Sequence, residues 1–159
     1  MSVGVKEREH MQIQQWMKHP VHCVKPLDSI QHARGIMEMH RINQLPVLAS
    51  GRLAGIVTDR DLRAAFPSVF DAPGRRPRSS RVGAGSTPGE VTVEMVMTEN
   101  VLTLGPTDSV TEAARLMRRE RVGAIPIVEN NRLVGILTRS DVLDAFVALA
   151  DAKPASARA

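Results

Sequence analysis

The chain has 159 residues, 43% of them apolar and 24% charged, with a formal net charge of +4. It is long enough for one compact domain or two tightly joined small ones. Three Phe, one Trp and no Tyr exclude rows of stacked rings for single-stranded nucleic acid, and Cys23, the single cysteine, excludes an intramolecular disulfide framework and an all-Cys zinc site.

The opening MSVGVKEREH lacks the apolar core of a signal peptide, and no run of 18 apolar residues follows, so a soluble cytoplasmic protein without a membrane segment is expected. The dominant feature is an internal repeat. Residues 17–66 align with residues 97–146 at a constant offset of 80 without a gap, and seventeen of the fifty positions are identical. Most of the apolar differences exchange Val, Ile, Leu and Met. The chain therefore divides into a first repeat over 10–67, a linker over 68–90, a second repeat over 91–150 and a disordered tail over 151–159.

In chain order, each repeat reads as strand, helix, strand, strand, helix. Val21–Val24 and Val101–Leu104 are short strands ending ahead of Pro26 and Pro106. Ile30, Ala33 and Met37, and their counterparts Val110, Ala113 and Met117, recur at the i, i+3, i+7 spacing of an amphipathic helix. Ser109 and Glu112 form a capping box at the start of the second of these. Leu45–Leu48 and Ile125–Val128 are strands that turn back through Ser50-Gly51 and Asn130-Asn131, pairs tolerant of positive φ, into Leu53–Val57 and Leu133–Leu137. A second helix starts near Thr58 or Thr138. Pro67 stops it in the first repeat, and it runs on towards Leu149 in the second. Met37, Met39 and Met117 are assigned to helix packing.

The linker holds Arg75, Arg76, Arg78 and Arg81 with no acid over residues 72–89, which accounts for the whole net charge. Its Pro and Gly content marks a flexible loop. An alternative function arises here: a nucleic-acid or polyanion binder acting through Arg75–Arg81, whose affinity would fall steeply with salt.

A unit of about 50 residues is near the lower limit for a core of its own, so the two copies are expected to pack about a pseudo-twofold axis, with ligand clefts between them. The sharpest motif is Gly55-Ile56-Val57-Thr58-Asp59-Arg60-Asp61 and its copy Gly135-Ile136-Leu137-Thr138-Arg139-Ser140-Asp141. A hydroxyl and a carboxylate three residues apart, where a strand hands over to a helix, are a helix-capping pattern. The same pair suits a nucleotide, since helix amides and the Thr hydroxyl receive a phosphate or sugar oxygen and an ionised Asp accepts hydrogen bonds from a ribose diol. The two roles are compatible. The glycine ahead of the motif points to a close approach by backbone or ligand.

At these residues, together with Leu45-Pro46-Val47 and Ile125-Pro126-Ile127, the sequence resembles the cystathionine-β-synthase (CBS) domain family in its tandem form, the Bateman module. The resemblance covers roughly residues 16–66 and 92–147. It implies an α+β fold of two βαββα repeats packed into one disc-like module, binding an adenosyl ligand: AMP foremost, then ATP, ADP or S-adenosylmethionine. It further implies that Asp61 and Asp141 bind ribose, that Thr58 and Thr138 are hydroxyl partners of phosphate or ribose, and that Ile56 and Ile136 line the adenosine pocket. Asn43-Gln44 and Gly123-Ala124 resemble positions that read adenine through the backbone or reach phosphate, and Arg60 and Ser140 stand at the pocket edge. Arg60 and Gln44 make the first site the more polar, so unequal affinities are expected.

His19, His22 and Cys23 sit close together, but they align with Glu99, Leu102 and Thr103 and are not part of the repeated design. Strand alternation also separates His22 from Cys23, so no metal site is expected. His32 and His40 are read as surface or interface residues. No acid–base constellation stands out, so the expected function is a non-enzymatic regulatory module that signals to an unidentified effector protein. The family's helix-mediated pairing implies a homodimer.

Overall fold

The computed structural model describes residues 11–65 and 89–152. The expected linker arginines Arg75, Arg76, Arg78 and Arg81, together with Pro67 and residues 153–159, lie outside the described residues. The fold is α+β, and its described parts fall into two compact units, one of residues 22–101 and the other of residues 1–21 with 102–159.

In the unit of residues 22–101, helix α1 (Ile30–His40) precedes an antiparallel hairpin of β1 (Gln44–Ala49) and β2 (Arg52–Thr58), followed by α2 (Asp59–Ala65). The other unit repeats the plan with α3 (Val110–Glu120), β3 (Ala124–Glu129), β4 (Arg132–Thr138) and α4 (Arg139–Ala152). The 80-residue offset persists to the level of irregularities. The β1/β2 register shifts at Val47/Leu48 and the β3/β4 register at Ile127/Val128, so Ala54 and Val134 are the extra residues of equivalent bulges. Helix α4 extends through Ala152, two residues into the stretch expected to be tail.

The first helix of each unit forms where the apolar spacing put it. Ile30, Ala33 and Met37 are buried on α1, and Val110, Ala113 and Met117 on α3. Ser29 and Ser109 cap these helices, each hydroxyl oxygen accepting the amide of the residue three positions on at 3.1 Å. Met39 departs from the expectation: it is 78% exposed, because two residues from the buried Met37 it points away from the core face. Gly35 sits in the exposed middle of α1, and a Cβ built there meets nothing within 4 Å. Gly35→Ala is therefore expected to raise stability by about 0.5–1 kcal/mol, read as a higher urea midpoint.

The expected first strands shrink to single parallel bridges, Val24 with Val47 and Leu104 with Ile127. The prolines explain this. Val24 donates to Pro46 O at 3.1 Å and Leu48 donates to Val24 O at 2.9 Å. One step earlier the ladder would need an amide hydrogen on Pro46, and one step later on Pro26; neither has one. Pro126 and Pro106 curtail the second copy at the same points. The hairpin turns match expectation, with positive φ at Ser50, Gly51, Asn130 and Asn131 as a two-residue hairpin requires.

Each unit is completed by the leader of the other repeat. Residues 91–98 belong to the unit of the first repeat, where Ile30 donates to Val91 O at 2.9 Å, Val93 to Asp28 O at 2.8 Å and Thr98 pairs with Ile56 on β2. Residues 11–18 belong to the unit of the second repeat, where Val110 donates to Met11 O at 2.7 Å, Ile13 to Asp108 O at 2.9 Å and Lys18 pairs with Ile136 on β4. Val91 and Val93 join one core, Ile13 the other. Each leader thus covers the outer edge of a two-stranded sheet, an edge otherwise open to pairing.

Candidate functional site

In each unit a strand ends at a threonine and the following residue opens a helix, so the motif falls at the junction. Asp61 Oδ2 accepts the Thr58 amide at 2.9 Å and the Thr58 hydroxyl at 2.7 Å, while the Asp61 amide donates to Thr58 Oγ1 at 3.3 Å. Asp141 Oδ2 accepts from the Thr138 amide at 2.7 Å and hydroxyl at 2.6 Å, and the Asp141 amide donates back to Thr138 Oγ1 at 3.4 Å. This is a reciprocal capping box built twice.

Capping leaves part of each acid free. An ionised carboxylate offers about four lone-pair sites, of which these contacts use two on Oδ2. At Asp61 the remaining oxygen, Oδ1, can still accept from two adjacent hydroxyls.

The residues expected around the junction converge there. The Asn43 carbonyl accepts the Asp59 amide at 2.8 Å, and the Gly123 carbonyl the Arg139 amide at 3.1 Å. Gln44 pairs across the hairpin with Thr58, and Ala124 with Thr138. Ile56 and Ile136 lie two residues ahead of the threonines, Ile136 buried and Ile56 partly so, whereas Arg60 and Ser140 are exposed on the first helical turns. Arg139 Nε donates to the Val122 carbonyl at 3.2 Å.

The glycine preceding the motif is explained by the leader. A Cβ on Gly55 would lie 2.6 Å from Met97 Sδ and 2.9 Å from the Thr98 carbonyl oxygen, and one on Gly135 would lie 2.9 Å from Met17 Cγ. The close approach is between protein segments.

The two junctions differ in the residue that the leader brings to them. Lys18 Nζ is 3.2 Å from Asp141 Oδ1, and Asp141 is the buried charged residue among those described, 4% exposed. The equivalent leader residue beside β2 is the uncharged Thr98. Sequence reasoning missed Lys18, because its partner lies across most of the chain and the contact follows from which unit the leader joins.

Away from the junctions, the His22 and His40 rings stack with centroids 3.7 Å apart. Burial pushes the Cys23 thiol up from its ordinary pKa, which disfavours the thiolate. No group of three His, Cys, Asp or Glu among the described residues could hold a metal ion, and no helix among them is long and apolar enough to cross a membrane.

Known proteins share this fold. The chain is 35% identical over 120 residues to a CBS domain-containing protein of Dictyostelium discoideum, covering 74% of this chain and 79% of that one. Its fold is similar to the crystal structure of CBSX2 in complex with AMP, with a TM-score of 0.72 and 26% identity over 87% of this chain and 98% of the other. It is similar also to the CBS domain pair of protein MJ0100 in complex with 5-methylthioadenosine and S-adenosyl-L-methionine, with a TM-score of 0.70 and 26% identity over 87% and 97% of the two chains. The CBS domain model matches residues 12–68 and 93–148, one match for each repeat, and the chain belongs to the CBS domain family as a tandem pair.

Proposed function

We propose that this chain is a non-enzymatic regulatory module that binds adenosyl nucleotides at its two strand-to-helix junctions and passes the bound state to a partner protein. The observation that carries the reading is the repeated capped carboxylate: Asp61 and Asp141 each accept the threonine amide and hydroxyl on one oxygen and donate their own amide back to the threonine hydroxyl oxygen. A vicinal diol supplies two O–H donors, which matches the acceptor capacity that capping leaves. Adenosyl ligands in two structurally similar CBS proteins, AMP in one and 5-methylthioadenosine with S-adenosyl-L-methionine in the other, give the class. AMP is the ligand we favour.

In this reading Asp61 and Asp141 grip ribose, Thr58 and Thr138 fix the acids and face the sugar or phosphate, Ile56 and Ile136 flank adenosine, and Asn43, Gln44, Gly123 and Ala124 border the base. Arg60 and Ser140, exposed at the rim, make the two sites unequal. A homodimer in the cytoplasm is the proposed working form. The signal can be no larger than the ligand's differential affinity for the module's alternative arrangements.

Calorimetry with AMP, ATP and S-adenosylmethionine tests the proposal on wild type, Asp61→Asn and Asp141→Asn. Asparagine keeps an oxygen for the threonine cap and presents an NH2 where the diol needs an acceptor. Each variant is expected to lose one site, with affinity there falling about 100-fold. Absence of binding heat from all three ligands with the wild-type protein overturns the proposal.

A further inference from the structure

The Lys18–Asp141 pair gives the second junction a property the first lacks. Oδ2 of Asp141 is taken by the Thr138 amide and hydroxyl, and Oδ1 faces the Lys18 ammonium at 3.2 Å. With Lys18 in place, one lone pair of that carboxylate remains, too few for both hydroxyls of a diol. At the first junction the leader residue is Thr98, and among the described residues no cation pairs with Asp61. A ligand entering the second site with its diol on Asp141 must therefore displace the ammonium. Lys18 is able to move: its side chain is 62% exposed while that of Asp141 is 5% exposed, on a flexible four-carbon stem. The displaced charge is best compensated by an anion on the incoming ligand. Arg139, the neighbouring cation, is turned onto the Val122 carbonyl, and Ser140 stands where the first site has Arg60.

We propose that Lys18 is a specificity-determining residue of the second site, its ammonium passing from Asp141 to a phosphate of the ligand as the ribose diol takes its place. The second site then selects phosphorylated adenosyl ligands over uncharged or cationic ones. This inference rests on the adenosyl-binding reading above and assigns a ligand class to one of its two sites.

The test uses Asp61→Asn protein, in which the second site is read alone, titrated calorimetrically with AMP and with adenosine. With Lys18 present, AMP is expected to bind about tenfold or more tightly than adenosine. In Lys18→Met the preference is expected to fall to about threefold or less, through weaker AMP binding and tighter adenosine binding. Lys18→Arg, which keeps the charge, is expected to retain the preference. Lys18→Thr, which copies the residue of the first unit, replaces Lys18→Met should the latter fail to fold by circular dichroism. An unchanged AMP-to-adenosine ratio in the neutral variants overturns the proposal. So does loss of all AMP binding in Asp61→Asn when the wild type binds AMP, a result that leaves the adenosyl reading standing. A wild-type protein that binds no adenosyl ligand removes both.

Discussion

Gly55→Ala is expected to lower stability by about 2 kcal/mol, the cost of overpacking a tight contact, and the melting temperature by about 4–8 °C for a chain of this size. The added methyl would lie 2.6 Å from Met97 Sδ and 2.9 Å from the Thr98 carbonyl oxygen. The thioether can rotate away, but the carbonyl accepts one of the two hydrogen bonds that hold the leader on β2, Ile56 N to Thr98 O at 3.0 Å, the other being Thr98 N to Ile56 O at 2.9 Å. The strain is therefore relieved by lifting the leader. Hydrogen exchange provides the site-specific reading: the amides of Ile56 and Thr98 should lose protection in Gly55→Ala while those of the Leu45–Val57 pairing, on the other edge of β2, keep theirs. Met97→Ala in the same protein should recover part of the loss, because it removes the sulfur and leaves the carbonyl. Unchanged protection at Thr98 would show that the glycine is not there to admit the leader.

Much of the fold is visible in sequence because its signals are local. The i, i+3, i+7 spacing of Ile30, Ala33 and Met37 describes one helical face wherever the helix packs, and Ser50-Gly51 needs no distant partner to favour a tight turn. The expected strand at Val21–Val24 fails for the opposite reason. Val21 and Val24 set a preference, but a ladder requires amide hydrogens on both strands, and Pro46 and Pro26 withhold them at the two positions where the bridge would lengthen. The exchange of leaders is less visible still, since nothing in residues 11–18 or 91–98 states which repeat they will cover.

The site divides along the same line. Thr58–Asp61 and Thr138–Asp141 are neighbours on one helical turn, so their spacing fixes their geometry before anything else is known. Lys18 meets Asp141 only because the chain's first segment closes the edge of β4, and the asymmetry between the two sites lives in that contact. Reading Arg60 against Ser140 identified a difference between the copies. The larger difference at the carboxylates themselves came from a residue outside the motif.

That asymmetry predicts unequal costs when the carboxylates are removed. Asp61→Ala deletes an N-terminal cap and is expected to cost about 1–2 kcal/mol. Asp141→Ala deletes the same cap and two further things. It vacates a site where the carboxylate is 4% exposed, and it strips Lys18 of its partner. The lysine end of the pair is largely solvated, so the ion pair itself adds no more than about 1 kcal/mol. The total for Asp141→Ala is then about 2–3 kcal/mol, seen as a larger fall in urea midpoint than that of Asp61→Ala. Lys18→Met should remove the difference between the two: in its background, Asp141→Ala should cost what Asp61→Ala costs in the wild type, or less, because the variant's carboxylate is already buried without a counter-ion. Wild type, Lys18→Met, Asp141→Ala and the double variant form a double-mutant cycle whose coupling term isolates the pair. Equal costs for the two aspartates, with no coupling to Lys18, would mean that the ammonium contributes nothing to holding Asp141.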